Sequence, residues 1–436
     1  MKLIIRVIIL MLMYLSVSFN IYAKNILLKD VLKKAIKTDV TVKNLSVQGK
    51  IDSISVEIAK KKKLLSVNLS GRYLFQSDKM EITLPSKTLS PTITIPGSTM
   101  SAGVNNNFDI NMSIIQPVYS GGIISNNIKL KKNDLLMTKN NKLFSKQIIS
   151  KNIKNSYFKY KILNEEKKIL TTLLNELKLH RKKMQNLYNE NLINKAVILE
   201  TEIKKDEISL NLEELNKQLK TEQIQFNYLT KVNINDIEKN YSEIILNKND
   251  SLAYYKNNHP LLNNIKIGKD NLYIGENISR GSYLPQVNSF FELHYGKPGI
   301  DVFKNEWNPY FRAGINISYR LFDWNTKKNN INILTYRRKK LENKKKHLIE
   351  LTENNLNILY TSVNFYKNKI TKTKTLIVNS EAIKDIKEKL FLEKQITNLE
   401  YLTFLQKIKK YKLMEQKNKY KIELIKTRIN ALIGKI

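Results

Sequence analysis

The sequence predicts an α+β membrane protein in which long α-helical coiled-coil hairpins are combined with four membrane-type β-strands per chain. Three observations predict it. The tracts 123–231 and 326–433 hold no proline and almost no glycine. Four shorter segments alternate apolar and polar residues with the period of a half-buried strand. An offset of 203 residues maps Gln116-Pro117-Val118-Tyr119-Ser120-Gly121-Gly122 onto Tyr319-Arg320-Leu321-Phe322-Asp323-Trp324-Asn325, and Phe226–Lys231 onto Ile429–Gly434. A repeat of that length is far longer than a solenoid period, so the chain is an internal duplication of a domain-sized unit.

In order along the chain, residues 1–23 are expected to be a secretory signal peptide. Lys2 and Arg6 precede an apolar run from Val7 to Val17, and Ile21-Tyr22-Ala23 forms the cleavage site; the run is too short to span a bilayer. The first repeat, 24–231, opens with a helix over Leu28 to Lys61. Strands follow at Val67–Phe75 and Phe108–Ile114. The connection Leu84 to Gly103 contains Pro85, Pro91, Pro96 and Gly97, which reads as an exposed loop. The helical tract from Ile123 carries Leu163, Leu170, Leu177 and Met184 at seven-residue spacing, the mark of coiled-coil packing. A second seam is Leu173, His180 and Leu187, whose images at the 203 offset are Leu376, Ile383 and Leu390. The period falters at 189–195 and at 393–398, so each tract folds back once. Residues 232–250 are a polar linker. The second repeat, 251–436, begins with a helix over Leu252 to Arg280, then strands at Val287–Tyr295 and Phe311–Arg320 joined through Gly296 to Pro309, then the second helical tract.

Composition narrows the function. The net charge of +36 comes mostly from lysine spread along the helical tracts, and with abundant asparagine and isoleucine it fits drift toward AT-rich codons. A nucleic-acid partner is not expected: the Lys60 to Lys63 run has no aromatic platform beside it. No cysteine is present, so neither disulfides nor a lipidated cysteine are available. The four histidines, His180, His259, His294 and His347, have no metal-ligand spacing. No phosphate loop or nucleophile elbow stands out; no enzyme activity and no cofactor are expected.

Outside the signal segment no apolar stretch approaches the roughly twenty residues of a membrane helix, so a membrane role falls to the strands. Four strands cannot close a barrel, and an open sheet edge leaves backbone groups unsatisfied in lipid. Two chains would supply eight strands and three chains twelve; the charged faces of the strands favour a water-filled lumen and hence the trimer.

This layout resembles the outer-membrane efflux protein (TolC) family over essentially the whole chain beyond the signal. Leu321-Phe322-Asp323-Trp324 looks like the strand-to-helix turn of that family, with Gln116–Gly122 as its first-half counterpart, and Leu64-Leu65 and Tyr283-Leu284-Pro285 resemble its helix-to-strand junctions. The resemblance implies a homotrimer with a twelve-stranded barrel in the outer membrane of a Gram-negative bacterium and an α-helical tunnel (an α-barrel) in the periplasm. It implies a passive exit duct of a tripartite efflux pump or type I secretion system. Its partners would be a periplasmic adaptor, an inner-membrane transporter of the ABC or RND type, and outer-membrane lipid. The alternative from another class is a secreted periplasmic coiled-coil adaptor without channel activity; a family member that keeps the fold without transport is a further one.

The resemblance places the aperture at the helical turns. Glu400 falls on an acidic aperture position, with an ordinary exposed helix glutamate as the competing reading. Asn191 and Lys394 stand where the family has tip glycines, Phe391 and Ile396 where it has latch residues, and Val197 where it has an aspartate. An ionic latch is therefore replaced by apolar side chains, and Val197, Phe391, Ile396 and Leu399 are the candidates for a hydrophobic closure. Pro117, Gly121 and Gly122 read as backbone devices of the strand–helix elbow, matched by Phe322, Asp323 and Trp324. Trp307, Tyr310, Tyr73, Tyr319, Phe322 and Trp324 sit at strand ends where interfacial girdles form, with elbow packing as the other reading of Trp324.

Overall fold

The computed structural model describes residues 26–237 and 242–435; the expected signal peptide, 1–23, lies outside them. Two helices, α1 (Leu28–Thr38) and α2 (Val40–Lys61), precede strands β1 (Ser66–Phe75), β2 (Met80–Leu84), β3 (Lys87–Ser90), β4 (Ile93–Ile95), β5 (Ser98–Ala102) and β6 (Asn106–Tyr119). Helices α3 (Ile123–Asn189) and α4 (Lys195–Thr230) complete the first half. The second half has α5 (Lys248–Asn258), α6 (Pro260–Gly281), β7 (Gln286–Lys297), β8 (Asn308–Ser318), α7 (Thr326–Leu392) and α8 (Asn398–Ile433).

The duplication is visible in the backbone. α3 and α7 each have 67 residues, α4 and α8 each 36, α1 and α5 each 11, and α2 and α6 each 22. Left-handed residues recur at the same offset: Gly121, Gly122, Asn191 and Lys231 match Trp324, Asn325, Lys394 and Gly434. At the elbow the second half holds the same turn with Trp324 and Asn325, whose Cβ atoms disfavour positive φ, whereas at the last turn it is the second half that has the glycine, Gly434 in place of Lys231.

Both opening helices, expected as single elements, are each broken in two. Asp39 stops α1 with extended backbone, and its carboxylate accepts from the N–H of Thr41 (2.8 Å) and Val42 (3.1 Å), capping α2. At the equivalent place Pro260 begins α6 and forces His259 into the extended region, φ −72° and ψ 127°.

The described residues form two compact units, one of residues 47–139 and 264–345 and the other of residues 26–46, 140–237, 242–263 and 346–435. Each unit draws on both halves of the duplication. The first contains a four-stranded antiparallel sheet in the order β1-β6-β7-β8, the four strands expected from the alternation. The 84–103 connection is more ordered than a loop: β2 pairs with β5 and β3 with β4, a nested ribbon whose residues are nearly all exposed. Registry places the apolar residues on one face. Leu69 lies opposite Met112, Met112 opposite Leu293, and Leu293 opposite Phe311. Leu69, Phe311, Ile315 and Ile317 are 65–75% exposed. On the other face His294 bonds Asp109 (2.9 Å) and Glu292 (3.4 Å) and stacks on Tyr310 at 4.7 Å. Phe290 lies on Gly314, where a Cβ would come within 2.8 Å of its ring.

In the second unit, α1 packs Leu28, Val31, Leu32 and Ala35 against Ile153, Tyr157 and Phe158 of α3 and Leu219 and Phe226 of α4. The predicted seam is buried at Leu163, Leu177 and Met184, with Leu173 at 2% exposure. In the second seam the second-half images of Leu173 and His180 differ: Leu376 and Ile383 are 42% and 41% exposed. In the connecting segment Ile234 and Ile237 are buried, and Ile237 makes a parallel bridge to Ile26. Buried Glu243 pairs with Lys154 at 2.6 Å and accepts from Asn430 Nδ2 at 3.0 Å. Among the described residues no helix is long and apolar enough to cross a membrane.

Candidate functional site: the helical turns and the strand–helix elbows

The two helical turns belong to the same compact unit and are built alike. At the first, Asn191 adopts φ 59° and Leu192 N–H reaches back to Leu187 O at 2.9 Å. At the second, Lys394 adopts φ 61° and Gln395 N–H reaches Leu390 O at 2.8 Å. A left-handed residue followed by this long return bond is the glycine-favoring way to end a helix. The positions predicted to stand for tip glycines are therefore left-handed, occupied by residues with side chains.

Between the turns lies a cavity of about 760 Å³ lined by Leu187, Leu192, Val197, Phe391 and Ile396, with Glu200, Lys394 and Glu400 among its polar groups. Four of the five residues singled out from sequence thus line one cavity: Val197, Phe391, Ile396 and Glu400. Leu399 does not; its side chain is 47% exposed. Glu400 has a second engagement. Thr397 Oγ1 accepts from Glu400 N–H, and the Glu400 carboxylate accepts from Thr397 N–H, both at 3.1 Å. This reciprocal capping box anchors the start of α8.

The residue pair that the sequence reading missed ties the two turns together. Asn398, 4% exposed, donates from Nδ2 to Glu200 Oε2 (3.1 Å), Thr201 Oγ1 (3.3 Å) and Val197 O (3.4 Å). Its Oδ1 lies 2.8 Å from His180 Nε2, which makes that nitrogen the donor. The imidazole packs against both Phe391 (5.5 Å) and Tyr401 (5.3 Å), whose own rings stack at 5.6 Å. Burial holds His180 below its ordinary pKa, with Lys183 adding to the effect against the opposing hydrogen bond to Asn398. Burial, helped by the charges of Glu388, Glu176 and Asp385, pushes Tyr401 up to about 12. The network is specific in geometry, and it joins α3, α4 and α8. His180 was readable only as a seam residue, because its partner lies 218 residues away.

The elbows belong to the other unit. Gly121 and Gly122 have φ 57° and 78°, and a Cβ on Gly121 would come within 2.3 Å of Gly281 O; both glycines act as the predicted backbone devices. Pro117 sits beside an irregularity in the β6–β7 register. In the second half Asp323 Oδ2 accepts from Lys327 N–H at 2.7 Å and caps α7. Phe322 and Trp324 meet edge to face at 4.8 Å and are 69% and 83% exposed. At the opposite strand ends Tyr73, Phe108, Trp307 and Tyr295 form a chain of ring contacts of 5.0–5.9 Å. The aromatic residues accordingly mark both ends of the sheet.

No protein-family model matches the chain, and no curated protein matches it in sequence. Solved structures match it along nearly its whole length. The outer membrane protein VceC of Vibrio cholerae aligns with a TM-score of 0.73 at 11% identity, covering 94% of this chain and 96% of that one. The CmeC outer membrane channel of Campylobacter jejuni aligns at 0.70 with 12% identity over 93% and 85%. The MtrE outer membrane channel of Neisseria gonorrhoeae, in its open state, aligns at 0.70 with 10% identity over 94% and 89%. The fold is that of the outer-membrane channels of the TolC family. Within the TolC fold, identities this low carry architecture and leave the side chains of the helical turns to be read on their own terms.

Proposed function

We propose that this protein is an outer-membrane channel, the passive exit duct of a tripartite efflux pump or type I secretion system. The observation that carries the proposal is the four-stranded sheet. Its apolar face is exposed in full register, its other face is charged, and its outer strands β1 and β8 each have one unpaired edge. Burying one such large apolar side chain is worth about 1.5–3 kcal/mol, and an open edge cannot be left in lipid. A homotrimer answers both demands: three copies give twelve strands, lipid covers the apolar face, and the charged face lines a lumen. In this reading the barrel lies in the outer membrane and the helices stand in the periplasm. A periplasmic adaptor and an ABC or RND transporter supply the cargo and the energy.

The helical turns are the proposed gate. Val197, Phe391 and Ile396 would close the aperture by excluding water, with Leu399 on the exposed side of α8 and Glu400 at the rim; a constriction of apolar side chains gates by dewetting. Detergent extraction of the outer-membrane fraction, native mass measurement and planar-bilayer recording test the duct: a trimer with conductance is expected, and a soluble monomer without conductance overturns it. For the gate, Ile396→Asp and Leu399→Asp are expected to raise single-channel current, and currents equal to wild type would remove the hydrophobic closure.

A further inference from the structure

The duplication builds one corner twice. α1, Asp39 and α2 recur as α5, His259 and α6 with equal helix lengths, and α3 recurs as α7. At the first corner Lys33, Lys37 and Lys43 join Lys142 and Lys146 of α3 around a groove of about 440 Å³, floored by Ile36 and Val42. Among the described residues no carboxylate lines it. Asp39, the one acidic residue between positions 31 and 51, is held by the backbone N–H groups of Thr41 and Val42. α3 has no Asp or Glu between 135 and 164. Elsewhere the chain pairs its lysines readily, as Lys409 with Glu176 at 2.7 Å and Lys417 with Glu166 at 2.8 Å.

The second corner shows that the fold does not require these lysines. The positions matching Lys33, Lys37 and Lys43 are Ala253, Asn257 and Asn263, and those matching Lys142 and Lys146 are Lys345 and Ile349. Helix lengths and the break between them are the same at both corners. Like charges converging on one concavity repel one another, and an anion bound among them relieves that repulsion. Lysine offers compact point charges with rotatable donors, suited to charge spread over a tetrahedral group, and among the described residues the groove has neither arginine nor an aromatic ring for planar recognition.

We propose that this corner is a binding site for a compact multivalent anion of the oligophosphate class, one carrying three or more negative charges. The site is independent of conduction. The test is titration calorimetry of the full chain in detergent, with tripolyphosphate and orthophosphate as probes. Lys33→Ala, Lys37→Asn and Lys43→Asn together install the residues of the second corner, which the same fold already accommodates. A control removes the same charge from α4 through Lys195→Ala, Lys217→Ala and Lys220→Ala. Tripolyphosphate is expected to bind wild type more tightly than orthophosphate, the corner variant to bind it at least tenfold more weakly, and the control to stay within twofold. Lys142→Ala with Lys146→Ala provides the same loss from another helix if the triple variant does not fold. Equal weakening by corner and control variants, or no saturable binding to wild type, overturns the site.

Discussion

His259 gives the fold an acid-sensitive corner. It ends α5, donating its N–H to Tyr255 O at 3.1 Å, while its Nδ1 accepts from Leu261 N–H at 3.3 Å. The ring lies 4.7 Å from Tyr255 and 5.9 Å from Phe144 and is 4% exposed. Burial pulls its pKa down to about 4, and a proton on Nδ1 would also set two donors against each other. The unfolded chain takes up this proton near pH 6.5, the folded chain only near 4. Its contribution is therefore whole above about pH 6.5 and is lost as pH falls toward 4. At pH 5 the difference amounts to about 2 kcal/mol. The adjoining groove of about 440 Å³ admits water, and screening reduces this to about 1–2 kcal/mol. Local opening of Lys248–Gly281 should then be roughly five- to thirtyfold more frequent at pH 5 than at pH 7.5. Amide hydrogen exchange, corrected for the intrinsic pH dependence of exchange, measures it directly. His259→Gln, which cannot titrate, should lose most of the difference. Equal protection at the two pH values, or an undiminished loss in His259→Gln, would refute the reasoning.

Four further outcomes are expected. Asn398→Leu leaves the His180 Nε2 donor without its partner, costing about 1–3 kcal/mol, and should raise hydrogen exchange in both helical turns, not in one alone. Lys394→Gly relieves a left-handed side chain (φ 61°) and should stabilise the second turn by about 1 kcal/mol, read as slower exchange, whereas Lys394→Ala should not. Gly121→Ala drives a Cβ to within 2.3 Å of Gly281 O and should abolish recovery of folded protein, while Gly71→Ala, which meets nothing within 4 Å, should not. Ile315→Arg, on the exposed apolar face, should cost about 2–4 kcal/mol in folding into lipid vesicles; Asn316→Arg, its neighbour on the opposite face, should cost much less.

The four strands were readable because period-two alternation is a local property: Phe108–Ile114 names its own apolar face before any partner is known. The helical turns were readable because seven-residue spacing fails there. The nested ribbon between Leu84 and Gly103 was not, since prolines and short strands mask pairing that depends on register across the hairpin. The breaks at Asp39 and His259 were missed for a different reason. An apolar pattern continues across a cap, and only the capping bonds and the backbone before Pro260 reveal the interruption. Within the candidate site, Val197, Phe391, Ile396 and Glu400 were singled out by position, but the capping box of Glu400 and the cavity between the turns needed coordinates.

The sequence by itself determined the duplication, the strand faces and the places where the helices turn, because each is written in spacing along the chain. Only the tertiary structure decided that Gly121 and Trp324 make the same left-handed elbow and that His180 meets Asn398. It also decided that five lysines from three helices share one groove, where the matching corner keeps one, Lys345. Such contacts join residues far apart in sequence, and no local period records which distant side chain will fill a buried donor's need.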